Sequence, residues 1–431
     1  MPPTRSTDAV AHAVVPVPVS KVLHVIPSVA SLRGGPSVMV RRLAGGLAQR
    51  GVETHVATTD DNGPGRLDVP CGQPVGQQGV TYWYFPRQTR FYTVSWPLSV
   101  WLSQHVQDFD LVHIHALFSF AALPASYWAA RRDVPYVVRP LGTLNTWGMT
   151  HRRPWLKRAS FEMVESRILA HAALVHYTSE DERREAELLG ITTPSVVVPN
   201  PLADEVGAGA PGALRRRYPQ LGRRPIVLFL SRLDRKKGLD LLLRAFVSLR
   251  RHVPDAALVI AGDGDVQFTR ELWYDAQTLG VGNDIVWTGF LSGDEKQAAL
   301  ADAALYVLPS YSENFGTAVA EAMAAGLPVV VSDKVGICRD IASSSAGLVV
   351  RCEVDDLTQA MRRLLSDPTL SASLGANGRR LATSTYSQEA VTGAVLDIYN
   401  RIATGDRPFS DARRAQRASE RAGVRGRAPV I

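Results

Sequence analysis

The chain of 431 residues has little cysteine: only Cys71, Cys338 and Cys352, with no Cys-x-x-Cys pair. That excludes a disulfide framework and a structural zinc ribbon, and it suits a reducing compartment. No run of about 18 apolar residues occurs, so no segment reads as a membrane span. Residues 1–20 carry little early positive charge, have prolines at 2, 3, 16 and 18, and lack the unbroken apolar core of a signal peptide. There is no G-x-x-x-x-G-K-[S/T] phosphate loop and no H-E-x-x-H zinc motif, which removes P-loop kinases and one metal-dependent hydrolase class. The expectation is a soluble, cytoplasmic protein, at most peripheral on the cytosolic face of the inner membrane.

What is present fits an ordinary globular chain with real cores: 45% hydrophobic and 21% charged residues. Its length predicts two large domains or three small ones. Lys and Arg outnumber Asp and Glu by 48 − 41 = 7. That surplus favours anionic partners such as phosphates, nucleotides or acidic membrane surfaces.

Short β-branched runs alternate with helical periodicity in two similar halves. Strands are expected at 21–26, 52–58, 111–115, 136–139, 173–178 and 196–199, then at 226–231, 257–261, 284–288, 304–309 and 328–332. Helices are expected at 38–49, 239–250, 317–325 and 388–402. This predicts an α/β protein of two doubly wound, Rossmann-like parallel sheets facing a central cleft. The predicted organisation is a disordered leader at 1–20, an acceptor domain at 21–200 and a donor domain at 201–387. A closing helix at 388–404 and a disordered basic tail at 405–431 complete it. The Pro- and Gly-rich stretch from Pro199 to Gly212 reads as the connector. The tail beyond Gly405 has seven arginines against three acids.

Ligands of open α/β sheets bind beyond the carboxyl ends of the strands. After the strand ending at Leu308-Pro309 comes Ser310-Tyr-Ser-Glu313-Asn314-Phe315-Gly316-Thr317-Ala-Val-Ala-Glu321, with two glutamates eight positions apart. Asn314 to Thr317 would stand at a helix start and offer N–H groups to a diphosphate. Glu321 suits paired ribose hydroxyls, and Glu313 a second sugar beyond the phosphates. The bland alternative is a helix-end acid and a solvated loop acid. After the strand at 226–230 comes Ser231-Arg232-Leu-Asp-Arg-Lys-Lys237-Gly238. Arg232 and Lys237 would put positive charge where a diphosphate leaves, or they belong to an ordinary basic loop.

These segments resemble the retaining, nucleotide-sugar-dependent group 1 (family 4) glycosyltransferases of the GT-B fold. Ser231 to Gly238, Ala261-Gly262-Asp-Gly264, Thr288-Gly289-Phe290, the E-x7-E element Glu313…Glu321 and Gly326-Leu-Pro328 occur in that family's order and spacing. Gly34-Gly35-Pro36, Val112-His113-Ile-His115 and Arg139 to Trp147 match it more loosely. The resemblance implies that Arg232 and Lys237 neutralise the donor's phosphates, Glu313 holds the transferred sugar and Glu321 the ribose. It implies backbone contacts from Asn314, Phe315, Gly316 and Thr317, with Gly289 and Phe290 at the nucleobase. Gly34, Gly35 and Gly262 are implied to be donor-binding, His115 catalytic, and Arg139, Asn145 and Trp147 on the acceptor side. Leu141 departs from the charged or imidazole side chain of many relatives, so no acceptor specificity carries over.

His113 and His115 share one strand face. With no third ligand near in sequence, a metal pair is not expected; His113 reads as structural and His115 as part of the site. The D-x-D pairs Asp263/Asp265 and Asp108/Asp110, which would imply a metal–diphosphate, are set aside in favour of protein cations. No cofactor or metal is expected. Gly207 to Gly212 fits G-x-G-x-x-G but reads as linker. Tyr82-Trp-Tyr-Phe85 with Arg87, Arg90, Phe91, Tyr92 and Trp96, and the basic run from His151 to Arg158, suit either an anionic lipid interface or a core strand and solvated helix.

The expected function is sugar transfer from a nucleoside-diphosphate sugar (UDP or GDP) to a hydroxyl acceptor, a lipid-linked saccharide in cell-surface or exopolysaccharide synthesis. Alternatives are another GT-B enzyme, a nucleotide-sugar epimerase or a sugar phosphorylase, and a non-catalytic nucleotide-sugar-binding protein. Nucleic acid is not an expected partner, because no reader module accompanies the charge.

Overall fold

The computed structural model describes residues 19–150, 154–203, 207 and 209–405. The expected leader up to residue 18 and the basic tail from 406 lie outside the described residues. Residues 19 and 20, counted with the leader, are anchored: the Val19 amide donates to Asn400 Oδ1 at 2.9 Å and the Ser20 amide to Asp110 Oδ2 at 2.8 Å.

The chain builds β1 (Lys21–Ser28), β2 (Glu53–Thr59), a small hairpin of β3 (Asp61–Asn62) and β4 (Gly65–Arg66), β5 (Pro74–Gln77) and β6 (Val80–Phe85). β7 (Leu111–His115), β8 (Tyr136–Arg139), β9 (Leu174–Tyr177) and β10 (Ser195–Val197) complete the first lobe. The second lobe carries β11 (Ile226–Leu230), β12 (Ala257–Ala261), β13 (Ile285–Gly289), β14 (Leu305–Leu308), β15 (Val329–Ser332) and β16 (Gly347–Val350). The sheets run in the orders β10-β9-β8-β7-β1-β2-β6-β5 and β13-β12-β11-β14-β15-β16. Every pairing within them is parallel except β5 with β6. Strands covered by helices on both faces must be apolar throughout, as IVLFL in β11 and ALVIA in β12 are.

In each lobe the order reverses beside the first strand, between β7 and β1 and between β14 and β11. Connections there leave to opposite faces, which opens a crevice at the carboxyl ends. β5, β16 and the 61–66 hairpin escaped sequence reading because they are short and only partly buried. Tyr82 to Phe85 is strand β6, with Tyr82, Tyr84 and Phe85 buried, and buried Arg87 pairs with Asp61. That settles the core alternative for these four residues over a lipid interface.

The helix Gln388–Ala403 crosses back onto the first lobe and packs on the helix Gly35–Gln49. Tyr399, fully buried there, meets His113 Nδ1 at 2.6 Å, which accounts for the structural role expected of His113. Tyr399→Phe removes this partner from a buried imidazole, and about 1–3 kcal/mol of stability should go with it. Denaturant unfolding of wild type and variant measures the difference; equal midpoints would show the contact to be idle.

Candidate functional site

The crevices of the two sheets face each other across a cavity of about 350 Å³. The first lobe lines it with Gly35, Pro36, Met39, Leu141, Gly142, Asn145 and Asn200. The second supplies Ser231, Arg232, Lys236, Lys237, Leu308, Glu313 through Ala318, and Glu321.

Two neighbouring strands set the charged centre. Beyond β11 a tight turn carries Arg232 to Lys237, and beyond β14 the loop carries Glu313; the Tyr311 amide donates to the Lys236 carbonyl at 2.7 Å and ties them together. Lys237 is buried and ion-paired with Glu313. Burial above all, then the charges of Lys236 and Arg232, push the Lys237 ammonium down to about 7, against the pull of Asp234. Glu313 is itself pinned, its amide donating to the Lys334 carbonyl at 3.0 Å and its carbonyl accepting from Gly336 at 2.8 Å. Arg232 is exposed to the cavity and makes no ion pair with a described residue.

Gly316 opens the helix Thr317–Ala324 at φ 92°, a left-handed conformation that glycine adopts without strain. Gly316, Thr317 and Ala318 line the cavity ahead of the first intrahelical bonds, which the Val319 and Ala320 amides donate to the Gly316 carbonyl at 2.9 and 3.1 Å. On the next turn Glu321 is nearly buried, held by Lys296 Nζ at 2.8 Å and approached by Arg42 of the first lobe at 4.0 Å. Sequence reasoning missed Lys296, Lys236, Asn200 and Arg42. Lys296 lies on the helix Gly293–Asp302, and nothing local in the chain relates it to Glu321, 25 positions on.

Several expected site residues lie elsewhere. His115 ends β7 as expected but is 1% exposed and does not line the cavity. The alternation that puts it on the face of His113 turns its ring toward the covering helices. Its Nε2 meets His24 Nδ1 at 2.9 Å. Arg139, opposite His115 in the parallel register, is fully buried and donates to Asn200 Oδ1 at 2.8 Å, so it anchors the connector instead of meeting an acceptor. Trp147, Gly34, Gly289 and Phe290 do not line the cavity, and Phe290 is 69% exposed. Gly262 serves close packing: a Cβ there would stand 1.9 Å from the Ser231 carbonyl oxygen. Of the D-x-D pairs, Asp265 caps the helix Val266–Thr278, and Asp110 is bound at the amino end of β1, away from the crevice.

The third imidazole that the sequence did not offer is His24, and the His24, His113 and His115 ligand atoms lie within 4.8 Å of one another. Arg139 sits beside them, so a divalent cation would face a buried positive charge. Burial and then Arg139 push His24 down to about 3; burial likewise holds His113, His115 and His176 well below the usual histidine range.

Two facing Rossmann-like lobes around a cleft of cations, carboxylates and a helix start define the GT-B class. The solved structures agree on fold. Sucrose-phosphate synthase from Thermosynechococcus elongatus superposes with a TM-score of 0.71 at 22% identity, over 90% of this chain and 100% of that one. Anabaena HepE in complex with UDP and glucose also reaches 0.71, at 18% identity, over 88% of this chain and 99% of that one. Residues 213–381 match the family Glycosyl transferases group 1, and residues 34–201 match the Glycosyl transferase 4-like domain. The chain belongs to the group 1 glycosyltransferases. It is 37% identical over 181 residues to a GDP-mannose-dependent alpha-(1-6)-phosphatidylinositol monomannoside mannosyltransferase of Mycolicibacterium smegmatis, covering 40% of this chain and 47% of that protein. It is 29% identical over 306 residues to the phosphatidyl-myo-inositol mannosyltransferase of Mycobacterium leprae, covering 69% and 75%. The match spans about half the length of the first of these. No helix among the described residues is long and apolar enough to cross a membrane.

The four depressed histidines make stability depend on pH. Unfolded chains bind protons near pH 6.5 while the folded state refuses them, so their contribution is complete above about 6.5 and is lost as pH falls below it. Each should cost up to about 1.4 kcal/mol per pH unit in that range. Urea midpoints between pH 7 and 5 should fall steeply, and a flat profile would contradict the burial of these rings as neutral groups.

Proposed function

We propose that this protein transfers a sugar from a UDP- or GDP-linked donor to a hydroxyl acceptor, with retention at the anomeric carbon. One observation carries the reading: Arg232, Lys237, the start of the Thr317–Ala324 helix and two carboxylates line a single cavity between the lobes. A departing diphosphate needs positive charge already oriented toward it, and fixed cations in a secluded cleft supply that without reorganisation. The diphosphate lies against Arg232, Lys237 and the amides of Phe315 to Thr317, with Gly35 opposite. Glu313 grips hydroxyls of the transferred sugar and Glu321 those of the ribose. With no protein nucleophile, the leaving phosphate takes the acceptor's proton on the face it vacates. Seclusion between the lobes keeps water from competing.

The acceptor is proposed to be lipid-linked, in cell-surface or exopolysaccharide synthesis, with the protein peripheral at an anionic membrane face. In support, the two mannosyltransferase relatives are named for phosphatidylinositol acceptors. Phe91, Trp96 and Trp155 of the first lobe are also 63%, 63% and 73% exposed, and exposed Arg90 and Arg158 lie near them in sequence. Aromatic rings beside arginines suit a headgroup layer.

Lys237→Ala and Glu313→Ala should each lower transfer of radiolabelled sugar from UDP- or GDP-sugars into a lipid extract by about 100-fold or more. Unchanged turnover removes that residue from the site; release of sugar phosphate instead would point to a phosphorylase. No metal is proposed, and activity should survive EDTA; strict dependence on Mn²⁺ or Mg²⁺ would overturn the protein-cation reading.

Binding of UDP or GDP should also depend on pH. The Lys237 ammonium is lost above about 7, so a diphosphate bound at pH 8 must draw in a proton and its affinity falls toward pH 9. Calorimetry in buffers of different ionisation enthalpy measures that uptake, and none at pH 8 would contradict the assignment of Lys237.

A further inference from the structure

The loops around the cavity are tied together by a carboxylate outside the E-x7-E element. Glu182, in the first turn of the helix Glu180–Leu188, is 3% exposed. Its Oε1 accepts from the Gly142 amide at 2.5 Å, and its Oε2 accepts from the amide and the hydroxyl of Thr178, both at 2.7 Å. Thr178 Oγ1, having given its proton to Glu182, accepts from Asn314 Nδ2 at 2.7 Å. Ser179 Oγ adds a bond to the Asn314 carbonyl at 3.1 Å. Asn314 to Thr178 to Glu182 is therefore a relay of hydrogen bonds with one consistent polarity, and it crosses from the second lobe to the first. A charged acceptor at its end strengthens each link.

Both ends of the relay border the donor cavity. Leu141 and Gly142 line it from the first lobe; Leu141 has φ 58°, a conformation that a non-glycine residue keeps only when its surroundings hold it. Gly142 packs so closely on Asn314 that a Cβ would stand 2.7 Å from that side chain. Asn314 immediately precedes the amides of Phe315 to Thr317. Arg139, fully buried, has Glu182 as the carboxylate favouring its charge, so Glu182 is also part of the first lobe's charge balance.

We propose that Glu182 is a positioning residue for the donor site. Through Thr178 it holds Asn314 and the helix start in register with the Leu141–Gly142 turn, and so sets the spacing of the lobes across the diphosphate. This rests on the donor reading above and deepens it, since Glu182 itself touches no substrate.

Hydrogen exchange and nucleotide binding separate its parts. Glu182→Gln should speed exchange at least tenfold in peptides covering both 140–146 and 311–316. Thr178→Val, nearly isosteric, should speed exchange in 311–316 and leave Gly142 at the wild-type rate. Thr178→Val should also weaken UDP or GDP about tenfold with little change in thermal midpoint, which a merely structural contact would not do. The Thr178→Val/Asn314→Ala double variant should bind no more weakly than Asn314→Ala alone, because one relay is cut twice. Unchanged exchange in 311–316 in both single variants, or additive losses in the double variant, would overturn the proposal. Wild-type protein that binds neither UDP nor GDP overturns the donor reading, while the exchange arm still decides the relay.

Discussion

A buried lysine ion-paired with a carboxylate organises the centre of this molecule. Lys237 and Glu313 follow neighbouring parallel strands, β11 and β14, and their pairing joins the two turns where the second sheet reverses direction. Taking a lysine out of water is costly unless an anion compensates, and here burial and two adjacent cations work against the charge. Such a site is poised for a second, stronger anion. In the proposed function, a diphosphate meeting Lys237, Arg232 and the first amides of the Thr317–Ala324 helix would relieve that repulsion and free Glu313 for other donors.

The first lobe answers a different constraint. Its sheet carries His24, His113, His115 and His176 under the helices, with Arg139 among them, where most α/β sheets carry aliphatic side chains. Tyr399, Asn200, the Val198 carbonyl and the His24–His115 contact satisfy part of this polar seam. Tyr399 arrives on the helix that returns from the second lobe, and Asn200 on the connector. The seam thus binds the lobe to the segments that join the halves, and Asn200, which Arg139 holds, also lines the cavity.

Much of this architecture was legible. β7, β8, β12 and the helix Leu239–Arg250 fall where apolar runs and periodicity put them, because a strand buried on both faces and a helix with one apolar stripe leave strong local patterns. Arg232, Lys237, Glu313, Asn314 to Thr317 and Glu321 stand after predicted strands and line one cavity. The failures share a cause. His115 and Arg139 are polar residues at strand ends, and alternation says which residues share a face without saying whether that face opens to the cleft or lies under a helix. Phe290, Gly289 and Gly262 carry family roles that local geometry here gives to packing or to exposed surface.

Chain order alone determined the two parallel sheets, the division into halves and the acids and bases at the strand ends, since each is written in residues a few positions apart. Tertiary structure alone decided which of those charges meet. Lys296 beside Glu321, Arg42 reaching across the lobes to Glu321, His24 beside His115 and Glu182 beneath the Leu141–Gly142 turn join residues from 25 to 279 positions apart. Coulomb forces and hydrogen bonds act over a few ångströms of space, whatever the separation along the chain, and only the packed fold sets those distances.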